Sequence, residues 1–306
     1  MSRPLPFTDA AITATGEPRA RVSFRGLKTL WLNTGTLCNL ACAHCYIESS
    51  PANDRLAYLT RGDVRGALAD AATQPLEDIG ITGGEPFMNP DIDDILGDCL
   101  GTGKKVLVLT NAMTPMRHHR DALLRMRAEH IDRLVLRVSL DHFDEARHEE
   151  ERGPRSFRPA IDGLKWLSDN DFAIAVAGRT IWSDDEIEMR AGYARLFRDE
   201  RIAIDAHDPA ALVLFPEMDD DPAVPEITTA CWQILDVSPA AQMCASERML
   251  VRRKGAVQAT YAACTLLPYD SQFDMGPTLA KAASDVPLNH RWCAQFCVLG
   301  GGSCSG

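Results

Sequence analysis

Six short apolar runs, spaced by amphipathic helical patterns, constrain this chain more than any other feature. They occupy residues 28–33 (KTLWLN), 78–82 (DIGIT), 105–110 (KVLVLT), 133–140 (RLVLRVSL), 172–177 (FAIAVA) and 211–215 (ALVLF). Rich in leucine and β-branched residues and lacking clean alternation, they suit strands buried on both faces. Helical stretches lie between them at 60–73, 91–100, 120–130, 157–169 and 184–199, the first opened by Thr60 as a helix cap. Strands alternating with helices imply a parallel sheet, which right-handed crossovers curl into an open or closed barrel. Six βα units fall short of the eight of a complete barrel. The expected fold is therefore α/β: a partial (β/α)6 TIM-like barrel over residues 27–216, preceded by an N-terminal extension at 1–26.

Beyond Phe215 the pattern stops. Glu217-Met218-Asp219-Asp220-Asp221 and the prolines that follow predict an exposed linker over 217–230, a solvated loop more than an acidic metal site. Residues 231–306 scatter glycine and proline and show little periodicity. They form a small cysteine-rich C-terminal appendage, and such a segment needs a staple, for which metal is the natural choice.

The formal net charge of -11 gives no electrostatic footprint for a nucleic acid or an anionic membrane. The basic stretches Arg117-His118-His119-Arg120 and Arg252-Arg253-Lys254 are read as solvated faces. The first twenty residues lack a signal-like apolar run, and no stretch approaches the ~20 apolar residues of a membrane span, so a cytoplasmic location is expected. Ten cysteines then need a reason other than disulfides. Cys99 sits in a helical stretch and is read as a small core residue. Three others lie close together at Cys38, Cys42 and Cys45, and six lie in the last quarter of the chain. Such clustering points to metal or catalysis.

The loop after the first strand reads Cys38-Asn-Leu-Ala-Cys42-Ala-His-Cys45, a C-x3-C-x2-C spacing. Three thiolates on one short loop can hold three irons of a cubane cluster and leave the fourth open to an outside ligand. A zinc site or three unrelated core cysteines are the alternatives, although zinc sites usually take four protein ligands. At the end of the second strand stands Thr82-Gly83-Gly84-Glu85-Pro86, where two glycines permit close backbone approach to a ligand.

Together these elements resemble the radical S-adenosylmethionine (SAM) superfamily, over residues 27–215. The resemblance implies that Cys38, Cys42 and Cys45 ligate a [4Fe–4S] cluster, with His44 in the usual aromatic place beside the SAM adenine. It implies that Gly83, Gly84 and Glu85 hold the SAM amino group. Thr110-Asn111 looks like the family's TNG element with Ala112 in place of glycine, and Ser139-Leu140-Asp141 like its SxD element. Asn111 and Ser139 are accordingly expected at the cofactor, as is Arg152, for whose fork a carboxylate is a suitable partner. A surface position in the charged run His148–Arg152 is the alternative for Arg152. Arg179 ends the fifth strand and is expected to face the same cavity, since ligands gather at strand carboxyl ends.

The tail resembles the twitch and SPASM auxiliary-cluster segments of that family. It contains Cys244, a predicted strand pair with Gly255, Cys264, the pair Cys293-x3-Cys297, and Gly300-Gly301-Gly302 before Cys304. One auxiliary [4Fe–4S] cluster is expected on Cys244, Cys264, Cys293 and Cys297, with Cys304 as first substitute. A structural four-cysteine zinc site is the alternative. Cys231 is read as a core thiol, with a cluster ligand or a hydrogen-atom donor as the alternatives.

The resemblance implies reductive cleavage of SAM to a 5′-deoxyadenosyl radical, hydrogen abstraction from a substrate, and a net oxidation or redox rearrangement aided by the auxiliary cluster. It implies a low-potential electron donor such as flavodoxin or ferredoxin. Residues 1–26 are too few for a leader-binding domain, so a small metabolite is favoured as substrate over a peptide or protein. Outside enzymes, a zinc-stapled binding protein on an α/β barrel is the competing reading, followed by a simple electron carrier.

Overall fold

The computed structural model describes residues 5–182, 184–216, 218 and 223–303. The acidic residues Glu217 and Asp219–Asp221, and Cys304, lie outside the described residues.

Among the described residues eleven strands occur in chain order: β1 Arg21–Val22, β2 Thr29–Asn33, β3 Asp78–Thr82, β4 Lys105–Thr110, β5 Leu134–Ser139, β6 Ala173–Arg179, β7 Leu212–Phe215, β8 Glu247–Val251, β9 Thr260–Ala262, β10 Asp274–Gly276 and β11 Val286–Pro287. The helices are α1 Arg61–Asp70, α2 Ile92–Gly101, α3 Thr114–Arg117, α4 Arg120–Glu129, α5 Glu145–Arg152, α6 Phe157–Asp169, α7 Glu186–Glu200, α8 Cys231–Ile234 and α9 Leu279–Ala282. The main sheet runs β10-β9-β8-β2-β3-β4-β5-β6-β7 and does not close. Strands β2 to β7 are parallel throughout, which is the expected partial barrel.

The chain beyond 231 continues this sheet. Strand β8 pairs parallel to β2, and β9 and β10 follow antiparallel. The β8–β9 pair turns at Gly255, whose φ of 77° suits glycine. The N-terminal extension is tied to the same region. β1 pairs with β11, and the buried Arg19 donates to the carbonyls of Asp9, Ile12 and Leu288 and to Glu226.

The strands are buried on both faces because each face has its own core. Along β4, Val106 and Val108 pack outward among the helices with Leu30, Leu32, Leu96 and Leu164. Leu107 and Leu109 point inward to a second core with Trp31, Phe215 and Phe296. Gly80 of β3 makes room for Trp31; a Cβ there would stand 2.3 Å from the indole ring. Helix α1 starts as expected, with Thr60 and Asp63 in a reciprocal capping box. Cys99 is fully buried in α2. Neither basic stretch is an open patch: Arg252, Arg253 and Lys254 pair with Asp63, Asp274 and Asp54, and His119 with Asp93.

Candidate functional site: two cysteine-lined cavities

The cysteine loop leaves the carboxyl end of β2 and lies directly on the end of β3. Gly84 donates to the Gly35 carbonyl at 2.8 Å, and Glu85 donates to that of Leu37 at 3.2 Å. This contact explains the glycine pair. A Cβ on Gly83 would meet the Gly35 oxygen at 2.7 Å, and one on Gly84 the Leu37 oxygen at 2.3 Å. Gly83 also holds φ at 145°. The close approach that these glycines permit is therefore first to the cysteine loop.

Glu85 lies behind the cavity wall. It is buried, and its carboxylate accepts hydrogen bonds from Thr110 Oγ1 (2.9 Å), the Asn111 N–H (2.9 Å) and the Phe87 N–H (3.2 Å). Burial raises its pKa to about 6, opposed by those bonds. It fastens the end of β3 to the end of β4 and does not line the cavity. Asn111 in turn donates from its side chain to Asn39 in the cysteine loop at 2.9 Å. Ala112 adopts φ 57°, the left-handed conformation that a glycine would take without cost, so the backbone path is kept despite the alanine.

The opposite wall comes from β5, β6 and α5. Helix α5 is capped by Asp144, which accepts from the Arg147 N–H. Within the charged run at its end, His148, Glu151 and Arg152 turn inward while Glu150 stays exposed. Arg152 makes a two-pronged ion pair with Asp141, Nε to Oδ2 at 2.6 Å and Nη2 to Oδ1 at 3.0 Å, and is 16% exposed. Its fork is thus taken by the aspartate of the Ser139-Leu140-Asp141 element, and its charge also favours the thiolate form of Cys42.

Its neighbour Glu151, which the sequence did not single out, joins the cysteine loop to β6. It is 2% exposed. Its Oε1 accepts from the His44 N–H (3.0 Å) and Arg179 Nη1 (2.8 Å), and its Oε2 pairs with His44 Nδ1 at 2.6 Å. Its carbonyl accepts from the Ala43 N–H at 2.8 Å. Arg179 also donates to the His44 carbonyl at 3.0 Å and lies over the Tyr46 ring. His44 is therefore tethered on one side, with 57% of its side chain exposed.

These elements enclose a cavity of about 210 Å³. Cys38, Cys42, Cys45, His44, Gly83, Gly84, Asn111, Ser139, Arg152 and Arg179 all line it, and of the expected barrel residues only Glu85 stands behind it. Burial pushes the Cys38 thiol up to about 12 and that of Cys42 to about 11. A metal cluster would reverse this by deprotonating its ligands. Among the described residues no three Cys, His, Asp or Glu side chains converge on one point as ligands of a single ion do. Three cysteines on one loop are the donor set that a cubane cluster with one open iron takes.

A second, more enclosed cavity of about 30 Å³ is lined by Cys244, Cys264, Cys293 and Cys297, the four tail cysteines expected together. Cys293 and Cys297 share a π-helical turn, Cys293–Leu299, whose wide winding accommodates the C-x3-C spacing. Burial raises the thiol pKa of Cys244 to about 11 and of Cys264 to about 12, and that of Cys293 well above its ordinary value. The buried Arg248 adds a positive charge at this cavity and donates to the carbonyls of Cys244, Glu247, Ala282 and Ser284. Cys231 does not line this cavity; it packs against the small core of Ala20, Val22 and Ile227, on which Cys244 and Cys293 also pack. Trp31, Thr265 and Leu266 border both cavities.

An open parallel α/β barrel with a three-cysteine loop at its strand ends defines a class of cluster-bearing enzymes. The family described as the radical SAM superfamily matches residues 32–192, more than half of the chain, and this chain belongs to it. Members of that superfamily use a [4Fe–4S] cluster and SAM. The antilisterial bacteriocin subtilosin biosynthesis protein AlbA of Bacillus subtilis (strain 168) is 36% identical over 142 residues, 46% of this chain and 30% of that protein. An AdoMet-dependent heme synthase of Methanosarcina barkeri is 28% identical over 145 residues, 45% of this chain and 38% of that protein. The chain thus spans about a third of the length of these curated relatives. Among solved structures, Streptococcus suis SuiB bound to S-adenosylmethionine superposes with a TM-score of 0.58 at 16% identity, covering 83% of this chain and 63% of that one. That likeness establishes the shared fold. Among the described residues no helix is long and apolar enough to cross a membrane.

Proposed function

We propose that this chain is a radical SAM enzyme that abstracts a hydrogen atom from a peptide substrate. Residues 27–216 hold the SAM site, and residues 231–306 hold an auxiliary cluster. The carrying observation is that Cys38, Cys42 and Cys45 line one cavity with Gly83, Gly84, Asn111, Ser139 and Arg152. The three cysteines hold the [4Fe–4S] cluster. When bound there, the cluster supplies the electron that splits SAM into methionine and a 5′-deoxyadenosyl radical.

The chain's own residues position and seal. Glu151 and Arg179 fix the loop at His44. Glu85 fixes the Thr110-Asn111 end of β4. The Asp141–Arg152 pair presents a preset guanidinium beside the cysteines, so little reorganisation is needed when charge arrives. The inward apolar residues shield the site from solvent. Cys244, Cys264, Cys293 and Cys297 are the proposed auxiliary ligands; a cluster held there would lie behind the wall shared by the two cavities and would supply an acceptor for an electron from the substrate. A flavodoxin or ferredoxin is the proposed donor, and the cytoplasm the proposed location.

The peptide reading rests on the 36% identity to a bacteriocin biosynthesis protein. A small metabolite is the second reading, favoured by the heme synthase relative. Anaerobic reconstitution followed by an assay for 5′-deoxyadenosine with SAM and dithionite tests the core of the proposal. Product formed by the parent and lost in Cys42→Ala is expected; equal product from both would refute it.

A further inference from the structure

Resting on the function just proposed, we infer that the inner part of the cysteine-loop cavity receives an uncharged, mainly apolar group of the substrate. Its polar contacts there are Asn33 and Ser49. The inner wall is made by Trp31, Tyr46, Leu109, Phe215, Leu266 and Phe296. Phe215 and Phe296 face one another with ring centroids 5.9 Å apart, and Trp31 is 1% exposed.

The charged side chains at the cavity are already matched with one another. Asp141 holds Arg152, and Glu151 holds Arg179 and His44. A substrate group carrying its own charge would enter an apolar wall with no counter-charge, where desolvation is not repaid. An aromatic or branched aliphatic group would instead complete the packing of the inner core.

Asn33 and Ser49 each bring to this lining a buried polar atom without a partner among the described residues. Asn33 is fully buried and lies two residues from Trp31 on the same face of β2. Its Oδ1 accepts from the Gly35 N–H at 3.1 Å, whereas its Nδ2 has no partner among the described residues. Ser49, 5% exposed, lines the same cavity, and its Oγ is likewise without a partner among the described residues. Buried donors of this kind are costly until a ligand supplies an acceptor. Amide carbonyls flanking an apolar side chain are acceptors of the right chemistry. The ligand class is thus a peptide segment presenting an uncharged aromatic or aliphatic residue.

The test is calorimetric titration of the anaerobically reconstituted, SAM-bound protein with N-acetyl N-methylamides of phenylalanine, leucine, lysine and glutamate. The phenylalanine and leucine probes are expected to bind at least about tenfold more tightly than the charged ones. Phe215→Asp should weaken the phenylalanine probe about tenfold, and Ser49→Ala should weaken all probes about fivefold, the size of one modest hydrogen bond. Charged probes that bind as tightly, an absence of binding by any probe, or indifference to Phe215→Asp would overturn the inference. Formation of 5′-deoxyadenosine by the same preparation is read separately. Its absence would sink the radical SAM reading itself, whereas its presence with charge-indifferent binding overturns only the substrate class.

Discussion

Replacing Glu151 with alanine removes the carboxylate that joins α5, β6 and the cysteine loop. Three contacts go: the His44 N–H at 3.0 Å, Arg179 Nη1 at 2.8 Å and His44 Nδ1 at 2.6 Å. The His44 ring is more than half exposed, so its ion pair contributes about 1 kcal/mol or less. The Arg179 pair is different, because both side chains are at least nine-tenths buried. Breaking a buried pair by removing one partner costs about 3–5 kcal/mol. Arg179 keeps its bond to the His44 carbonyl and its place over Tyr46, which brings the expected loss to about 3 kcal/mol. Glu151→Gln, which keeps the shape and loses the charge, should cost about half as much. Denaturant unfolding of the metal-free protein reads these losses as a lower midpoint at unchanged slope. A double-mutant cycle with Arg179→Met isolates the pair. Iron retained after reconstitution reads the looser loop. A loss below about 0.5 kcal/mol with full iron loading would refute the assignment of Glu151 as the clamp of the cysteine loop.

Buried His148, whose ring nitrogens have no hydrogen-bond partner among the described residues, has its pKa pushed down to about 4 by burial, so the folded chain resists a proton that the unfolded chain accepts. Stability should therefore fall as pH drops from about 6.5 toward 4, by on the order of 3 kcal/mol, and His148→Leu should flatten that limb in pH-dependent unfolding. Gly84→Ala places a Cβ 2.3 Å from the Leu37 oxygen, so it should displace the cysteine loop, cost about 1–3 kcal/mol and lower iron loading. Gly97→Ala, in an open part of α2, serves as the control and should be neutral or stabilising by up to about 1 kcal/mol.

Much of the fold was legible because the period of apolar residues reports burial directly. Strands β3 and β4 and helix α6 coincide with the expected ranges, since Ile79, Ile81, Val106 and Val108 are core residues on a parallel sheet. The three loop cysteines and the four tail cysteines were legible from spacing and resemblance, and each set borders one cavity. What local sequence did not carry was the role of α5. The run Glu145–Arg152 carries six charged residues in eight and looks like a solvated face, yet Glu151 and Arg152 are inward because their partners, Arg179 and Asp141, are brought to them by strand order. Glu85, expected at the cofactor from the resemblance, is buried behind the cavity wall, where Thr110 of β4, the Asn111 N–H after it and the Phe87 N–H after β3 donate to it; spacing along the chain does not show these contacts between strand ends. Nor could spacing alone place β8 beside β2, a pairing across more than two hundred residues that lets the two cavities share a wall.

The central claim, two clusters on two cysteine sets with SAM chemistry at the first, is tested most directly by iron analysis and 5′-deoxyadenosine formation on one anaerobically reconstituted preparation. About eight irons per chain with SAM cleavage are predicted, falling to about four irons in a Cys264→Ala, Cys293→Ala double variant that still cleaves SAM. Zinc in place of iron, with no 5′-deoxyadenosine, would contradict the account.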